Sequence, residues 1–274
     1  MDSLRLSDGQ PLAYEVTGNG SPLLLIMGTG ADHPFWSAQV PELSRAHRVI
    51  TYDSRGTGAS GDFARIEDAS AASLARDAAE LLDHLASGPA HVAGLSLGSC
   101  VAQELCLARP DIVRSLGLHG TWGDSDPWFI RMVESMETAL RAGGLATFIR
   151  GATCWILSPD LHAASPEAIE AMERAYVDRK AARVDGVLAH CHADRVHHAL
   201  DRLRAIRVPT LVTAGQRDIQ VPPRYGRAVA ERIEGARFHL FEGPRASHCA
   251  CFEMAETWNR VTLDFLSDVE RAQR

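Results

Sequence analysis

Ala90-His91-Val92-Ala93-Gly94-Leu95-Ser96-Leu97-Gly98 places an apolar run of strand length directly before a glycine-flanked serine, and Leu97–Ala108 continues with helical periodicity. A G-x-S-x-G string with strand before and helix after reads as a sharp strand-to-helix turn. Side chains at positions 94 and 98 would collide with the neighbouring chain, which explains glycine at both. The turn forces Ser96 into strained backbone angles and lifts its hydroxyl clear of the sheet. There it meets the positive end of the following helix, where developing negative charge is favoured. Ser96 is the candidate nucleophile.

A serine hydroxyl is a weak nucleophile and needs a base within hydrogen-bond reach, itself held by a third group. Asp218 lies in Gly215-Gln216-Arg217-Asp218, just past the apolar run Thr210–Ala214. His248 ends Gly243-Pro244-Arg245-Ala246-Ser247-His248, just past Arg237–Phe241. Both are loop residues after strand-like runs, as Ser96 is, and the carboxyl ends of parallel strands converge on one edge. His248 is the expected general base and Asp218 the carboxylate that orients it. Attack on an acyl carbon builds charge on its oxygen, so backbone donors are required. The expected pair is the N–H of Leu97 and the N–H of Thr29, with Gly28 as the alternative in the stretch Met27-Gly28-Thr29-Gly30.

Working outward, Leu4–Leu6 and Leu12–Val16 read as an opening hairpin around Ser7-Asp8-Gly9-Gln10. Pro22–Met27, His47–Tyr52 and Val113–His119 add further apolar runs. Unbroken apolar runs are what a sheet covered on both faces requires. Helical periodicity over Ser70–Leu85, Leu97–Ala108, Pro223–Ile233 and Met254–Val269 alternates with them, giving parallel βαβ units in a doubly wound sheet. The alternation breaks from Gly123 to about Leu203, where only amphipathic helical pattern appears. The expected organisation is therefore a core of residues 1–122 and 204–274, with residues 123–203 inserted as a helical cap.

At this point the chain resembles the α/β-hydrolase superfamily over nearly its whole length. The matching pieces are Leu24–Gly30 with Phe35-Trp36, the loop Tyr52 to Ser60, the turn at Ser96, Val208–Val212 with Gly215 and Asp218, and Ser247-His248. It looks most like the branch of 3-oxoadipate enol-lactonase and aclacinomycin methylesterase. The resemblance implies a mostly parallel eight-stranded sheet with helices on both faces, a helical cap after the sixth strand, and cofactor-free hydrolysis of a carboxylic ester or lactone. Two positions depart from the pattern: Met27 stands where the family often has histidine, and Ser99 where many members have a second glycine. A backbone donor survives the first change, and serine is small enough for the second. Epoxide hydrolases and haloalkane dehalogenases of the superfamily attack with aspartate, so the resemblance, with serine at position 96, points away from those chemistries.

Other residues carry weaker signals. Gly28, Trp36, Trp122, Trp128 and Trp155 are candidate substrate-binding residues, the tryptophans either lining an apolar acyl pocket or packing the core. Asp53, in Asp53-Ser54-Arg55-Gly56, sits at a strand end but reads as part of a structural loop. His190, His192, His197 and His198 invite a metal reading, yet no second cluster with zinc spacing accompanies them and polar cap residues are the expectation. No metal is expected. The six cysteines form no paired CxxC modules and read as reduced thiols.

A net charge of −7 lacks the basic face that nucleic-acid binding needs, and no Lys/Arg run suggests an anionic membrane surface. The N-terminus has no basic-then-apolar leader pattern, so a cytoplasmic monomer or homodimer acting on a small molecule is expected. The same triad could cleave a carbon–carbon bond β to a ketone, or serve a thioesterase or perhydrolase. A non-catalytic receptor on this fold is the reading of another class.

Overall fold

The computed structural model describes residues 1–272. β1 (Asp2–Arg5) and β2 (Pro11–Thr17) form an antiparallel hairpin, and β2 pairs antiparallel with β4 (His47–Tyr52). Every other strand pairing among the described residues is parallel. β3 (Ser21–Ile26) lies between β4 and β5 (Ala90–Leu95), followed by β6 (Val113–His119), β7 (Thr210–Gly215) and β8 (Arg237–Phe241). The eight-stranded sheet has the order β1-β2-β4-β3-β5-β6-β7-β8. The apolar runs of the sequence supply these strands nearly in place, and the mostly parallel sheet is the expected one.

Helices α1 (Val40–Leu43), α2 (Ala71–His84) and α3 (Leu97–Ala108) precede β6. Between β6 and β7 come α4 (Pro127–Ile156), α5 (Pro159–Ala164), α6 (Pro166–Asp178) and α7 (Val184–Val196). α8 (Pro223–Arg232) follows β7, and α9 (Ala250–Glu253) and α10 (Ala255–Ala272) follow β8. α2 starts where Ser70 and Ser73 exchange side-chain-to-backbone hydrogen bonds of 3.0 and 2.8 Å, satisfying two end N–H groups at once. No helix among the described residues is long and apolar enough to cross a membrane.

Strand alternation divides the core between the two faces. Leu24 and Ile26 of β3 pack with Ile50, Val92 and Leu116 against residues of α2 and α3, Leu74, Leu81, Val101 and Leu105 among them. Their neighbours Leu23 and Leu25 face the other way with Val49 and Ala93, against Leu43 of α1 and Trp258, Phe265 and Leu266 of α10. Burial of both faces is why the parallel strands read as unbroken apolar runs.

The segment between β6 and β7 is tied to the loops at the carboxyl ends of the strands. Tyr176 Oη donates to the Gly30 carbonyl at 2.8 Å, and Arg179 grips Asp32 through two bonds of 3.0 and 2.7 Å. Arg183 donates to the carbonyls of Gly58, Ser60 and Gly61. α4 bends at Gly144, whose φ of 65° breaks the helix.

Candidate active site

Ser96 sits between β5 and α3 with φ 56° and ψ −127°, a positive φ that an L-residue holds only when its surroundings impose it. Those surroundings are the two flanking glycines. A Cβ at position 94 would lie 2.1 Å from the Gly98 carbonyl oxygen, and one at position 98 would lie 2.2 Å from that of Ile26. The turn is further pinned by Ser96 N–H to the His119 carbonyl at 2.9 Å, while Ser99 Oγ donates to the Ser96 carbonyl at 2.6 Å. Serine at 99 therefore braces the turn instead of disturbing it.

Asp218 and His248 arrive from β7 and β8. Gly215 lets their loops meet, since a Cβ there would lie 2.2 Å from the Ser247 carbonyl oxygen, and Arg217 N–H reaches the Ala246 carbonyl at 2.8 Å. Asp218 Oδ1 accepts from the N–H groups of Gln220 and Val221 at 2.9 and 2.7 Å, which fixes the carboxylate. Its Oδ2 accepts from His248 Nδ1 at 2.7 Å. With Nδ1 occupied as donor, Nε2 is left with its lone pair. Gly120 gives the imidazole room, because a Cβ there would lie 2.9 Å from His248 Cε1.

Ser96 and His248 line one cavity of about 70 Å³. Its remaining wall is largely apolar: Met27, Phe35 and Leu95 from the core, and Met136, Phe148 and Ile149 from α4. Ala152 and Ile156 of α4, Tyr176 of α6, and Gln220 and Cys249 complete it. The loop Met27–Ala31 runs beside the serine, so closely that a Cβ on Gly28 would lie 2.8 Å from Ser96 Cβ. Leu97 is the first residue of α3, where a backbone N–H has no intrahelical acceptor.

The tryptophans lie outside the cavity wall. Trp36 is fully buried against Trp258, their rings 5.9 Å apart, and Trp122 packs on Phe129 at 4.6 Å with its indole N–H given to Ser125. Trp128 is 43% exposed beneath Arg224, and Trp155 packs at the edge of the main core. Phe35, Phe148 and Tyr176 supply the aromatic wall instead. Asp53 accepts from His33 and from the Ala59 N–H, and so shapes its own loop.

The four histidines near α7 do not gather. His190 accepts the Gly30 N–H at Nδ1 (3.0 Å) and donates from Nε2 to the Arg55 carbonyl (2.8 Å). Burial holds its pKa down to about 4, so it bridges the segment and the core as a neutral ring. His197 meets Gln103 at 3.2 Å, and exposed His198 lies 3.3 Å from Asp124. All six cysteines are free.

One residue at the back of the site is marked in the sequence only by sharing a helical face with His198, within the histidine-rich stretch, and not as part of the site. Asp194 of α7 is buried, accepts from Thr29 Oγ1 at 2.7 Å through Oδ2, and has no partner for Oδ1. It thereby anchors the residue expected to donate to the oxyanion. Burial is the main reason its pKa is pushed up from 3.8 to about 8. The folded state holds this proton more tightly than the unfolded chain. The associated stability is therefore complete below pH 3.8 and is lost as pH rises through about 8. Asp194→Asn keeps an acceptor for Thr29 and cannot ionise. Its Tm relative to the parent is expected to rise by about 5 °C or more between pH 5 and pH 8. Thermal melts across that range check this; a pH-independent difference would mean that the folded carboxyl titrates normally.

A family model of the alpha/beta hydrolase fold matches residues 21–253. A relative from Azorhizobium caulinodans, named carbamate hydrolase RutD, is 33% identical over 263 residues, covering 95% of this chain and 96% of that one. A thermophilic esterase from Thermogutta terrifontis superposes with a TM-score of 0.86 at 28% identity, covering 98% of each chain. The enol-lactonase of Burkholderia xenovorans LB400 shares the fold, with a TM-score of 0.86 at 24% identity over 97% of this chain and 100% of that one. The chain belongs to the α/β-hydrolase family.

Proposed function

We propose that this hydrolase cleaves a small, largely apolar carboxylic ester or lactone through an acyl-enzyme on Ser96. The observation that carries the reading is the Asp218–His248 hydrogen bond of 2.7 Å, with the imidazole and the strained serine opening on one apolar cavity. His248 Nε2 takes the Ser96 proton as Oγ attacks the carbonyl carbon. Asp218 holds the ring and stabilises the imidazolium. The N–H groups of Leu97 and Thr29 receive the oxyanion, with Asp194 keeping the Thr29 loop in place. The protonated histidine returns its proton to the leaving alcohol, and water repeats the sequence on the acyl group. A lactone opens by the same steps, with its alcohol still tethered to the acyl chain.

The cavity volume favours a small acyl group, since 70 Å³ is the space of only a few water molecules. A carbamate is the second reading. It is supported by the named activity of the Azorhizobium relative and by Gln220, a polar residue in the cavity wall.

The test is a panel of short-chain p-nitrophenyl esters, methyl esters, lactones, aryl carbamates, thioesters and ring-cleavage diketones. Intact-mass analysis of the enzyme stalled at low pH accompanies it. Short esters and lactones should turn over fastest and leave an acyl adduct on the Ser96 peptide. Carbamates outpacing matched esters would install the second reading, and failure of every acyl compound would overturn both.

A further inference from the structure

The amino-terminal edge of the sheet, opposite the catalytic cavity, holds a second cluster of chemistry-bearing side chains. His47 opens β4, His91 lies at the start of β5, and the register places Ser21 and Leu23 of β3 between them. Alternation puts His47, Val49, Leu23, His91 and Ala93 on one face of the sheet, the face that α10 covers. Glu270, in the last turns of α10, comes down over both rings.

The geometry is that of three donors converging on one point. Glu270 Oε1 lies 3.9 Å from His47 Nδ1 and 3.7 Å from His91 Nε2, and the three ligand atoms all fall within 4.8 Å of one another. These separations are too long for hydrogen bonds. Both facing ring nitrogens are buried and without a partner, on residues only 3% and 0% exposed. Two orphaned buried nitrogens side by side are a costly arrangement unless something occupies the space between them. Donors bound tetrahedrally to zinc at about 2.1 Å sit about 3.4 Å apart, so closure asks for only small side-chain movements. His91 Nδ1 meets Ser115 Oγ at 2.7 Å, the kind of outer hydrogen bond that turns the other nitrogen into a ligand.

We propose that His47, His91 and Glu270 form a divalent-metal site of the zinc type, with water as the fourth ligand. The Glu270 side chain is 27% exposed, which leaves an entry path from solvent. Burial, the largest influence on each ring, lowers the pKa of His47 and holds that of His91 down to about 4. Both imidazoles are thus neutral ligands at pH 7. Arg114, whose Nη1 lies 3.4 Å from Ser21 Oγ, is the neighbouring cation that opposes the ion and sets the affinity below that of an all-anionic site. The bound ion would pin the carboxyl end of α10 to β4 and β5. It plays no part in the hydrolytic steps, which occur at the other edge of the sheet.

The full-length protein, stripped with a chelator and dialysed, is titrated with zinc chloride by calorimetry and thermal melting. One equivalent should bind, and Tm should rise by about 5 °C at a hundredfold excess over Kd. Glu270→Gln, a partly exposed and isosteric change, should bind at least tenfold more weakly while its metal-free Tm stays near the parent's. Arg114→Ala should bind more tightly. X-ray absorption of the zinc form of the parent protein should show nitrogen and oxygen neighbours near 2.0–2.1 Å. No binding overturns the proposal. So does equal affinity in Glu270→Gln, or sulfur at about 2.3 Å, which would place the ion on the free cysteines.

Discussion

Ser96→Ala is expected to eliminate covalent labelling by a fluorophosphonate probe and to lower kcat for the best ester by about 10⁵-fold, with Tm nearly unchanged. The backbone of the turn does not depend on the hydroxyl. Ser96 N–H bonds to the His119 carbonyl, and the Gly94 and Gly98 contacts are with main chain. Alanine inherits the φ of 56° without adding volume, so the cavity, the imidazole and the oxyanion donors stay where they are. Only the proposed nucleophilic atom is removed. The residual rate should reflect binding and oxyanion stabilisation alone, some 10³-fold above water. Intact-mass spectra of probe-treated protein settle the matter directly. An adduct that persists in the variant would transfer the nucleophile to another residue, with exposed Cys154 the first to examine.

How far the sequence speaks depends on whether a feature is local. The turn at Ser96 is local, because glycine at 94 and 98 is imposed by contacts within a few residues and with the adjacent strand. The inner parallel strands are legible because burial on both faces leaves unbroken runs such as Leu23–Ile26, and Asp218 is legible because it follows such a run, whereas His248 follows β8, an edge strand that is only partly buried. The cavity wall is different. Tryptophan content suggested it, yet Trp36 and Trp122 spend their large surfaces in the core. Much of the apolar lining comes from α4, whose course depends on the bend at Gly144 and on how that helix lands on the core. The Thr29–Asp194 contact joins residues 165 positions apart and has no spacing to betray it. His47 and His91 are equally silent, because only the order β4-β3-β5 brings them to one face.

The second large effect concerns a residue outside the cavity wall. Asp218→Asn is expected to reduce kcat by about 10⁴-fold while KM changes little. The variant should fold normally: the side-chain oxygen of the introduced asparagine can still accept from the N–H groups of Gln220 and Val221, which now hold Oδ1 at 2.9 and 2.7 Å. Its amide nitrogen is then directed at His248 Nδ1, where Oδ2 now accepts at 2.7 Å. Two donors cannot share that contact, so the ring hydrogen moves to Nε2, the nitrogen that must accept the serine proton. The proposed base then keeps its place but holds the wrong tautomer. Fluorophosphonate labelling requires the same proton transfer and should slow in parallel with ester turnover, whereas a purely structural role for Asp218 would lower Tm and weaken substrate binding together. Stopped-flow labelling rates, kcat and thermal melts on one preparation separate these cases. A loss smaller than tenfold with an intact fold would mean that the imidazole takes its orientation from some other contact, and that the carboxylate is only a brace for the loop after β7.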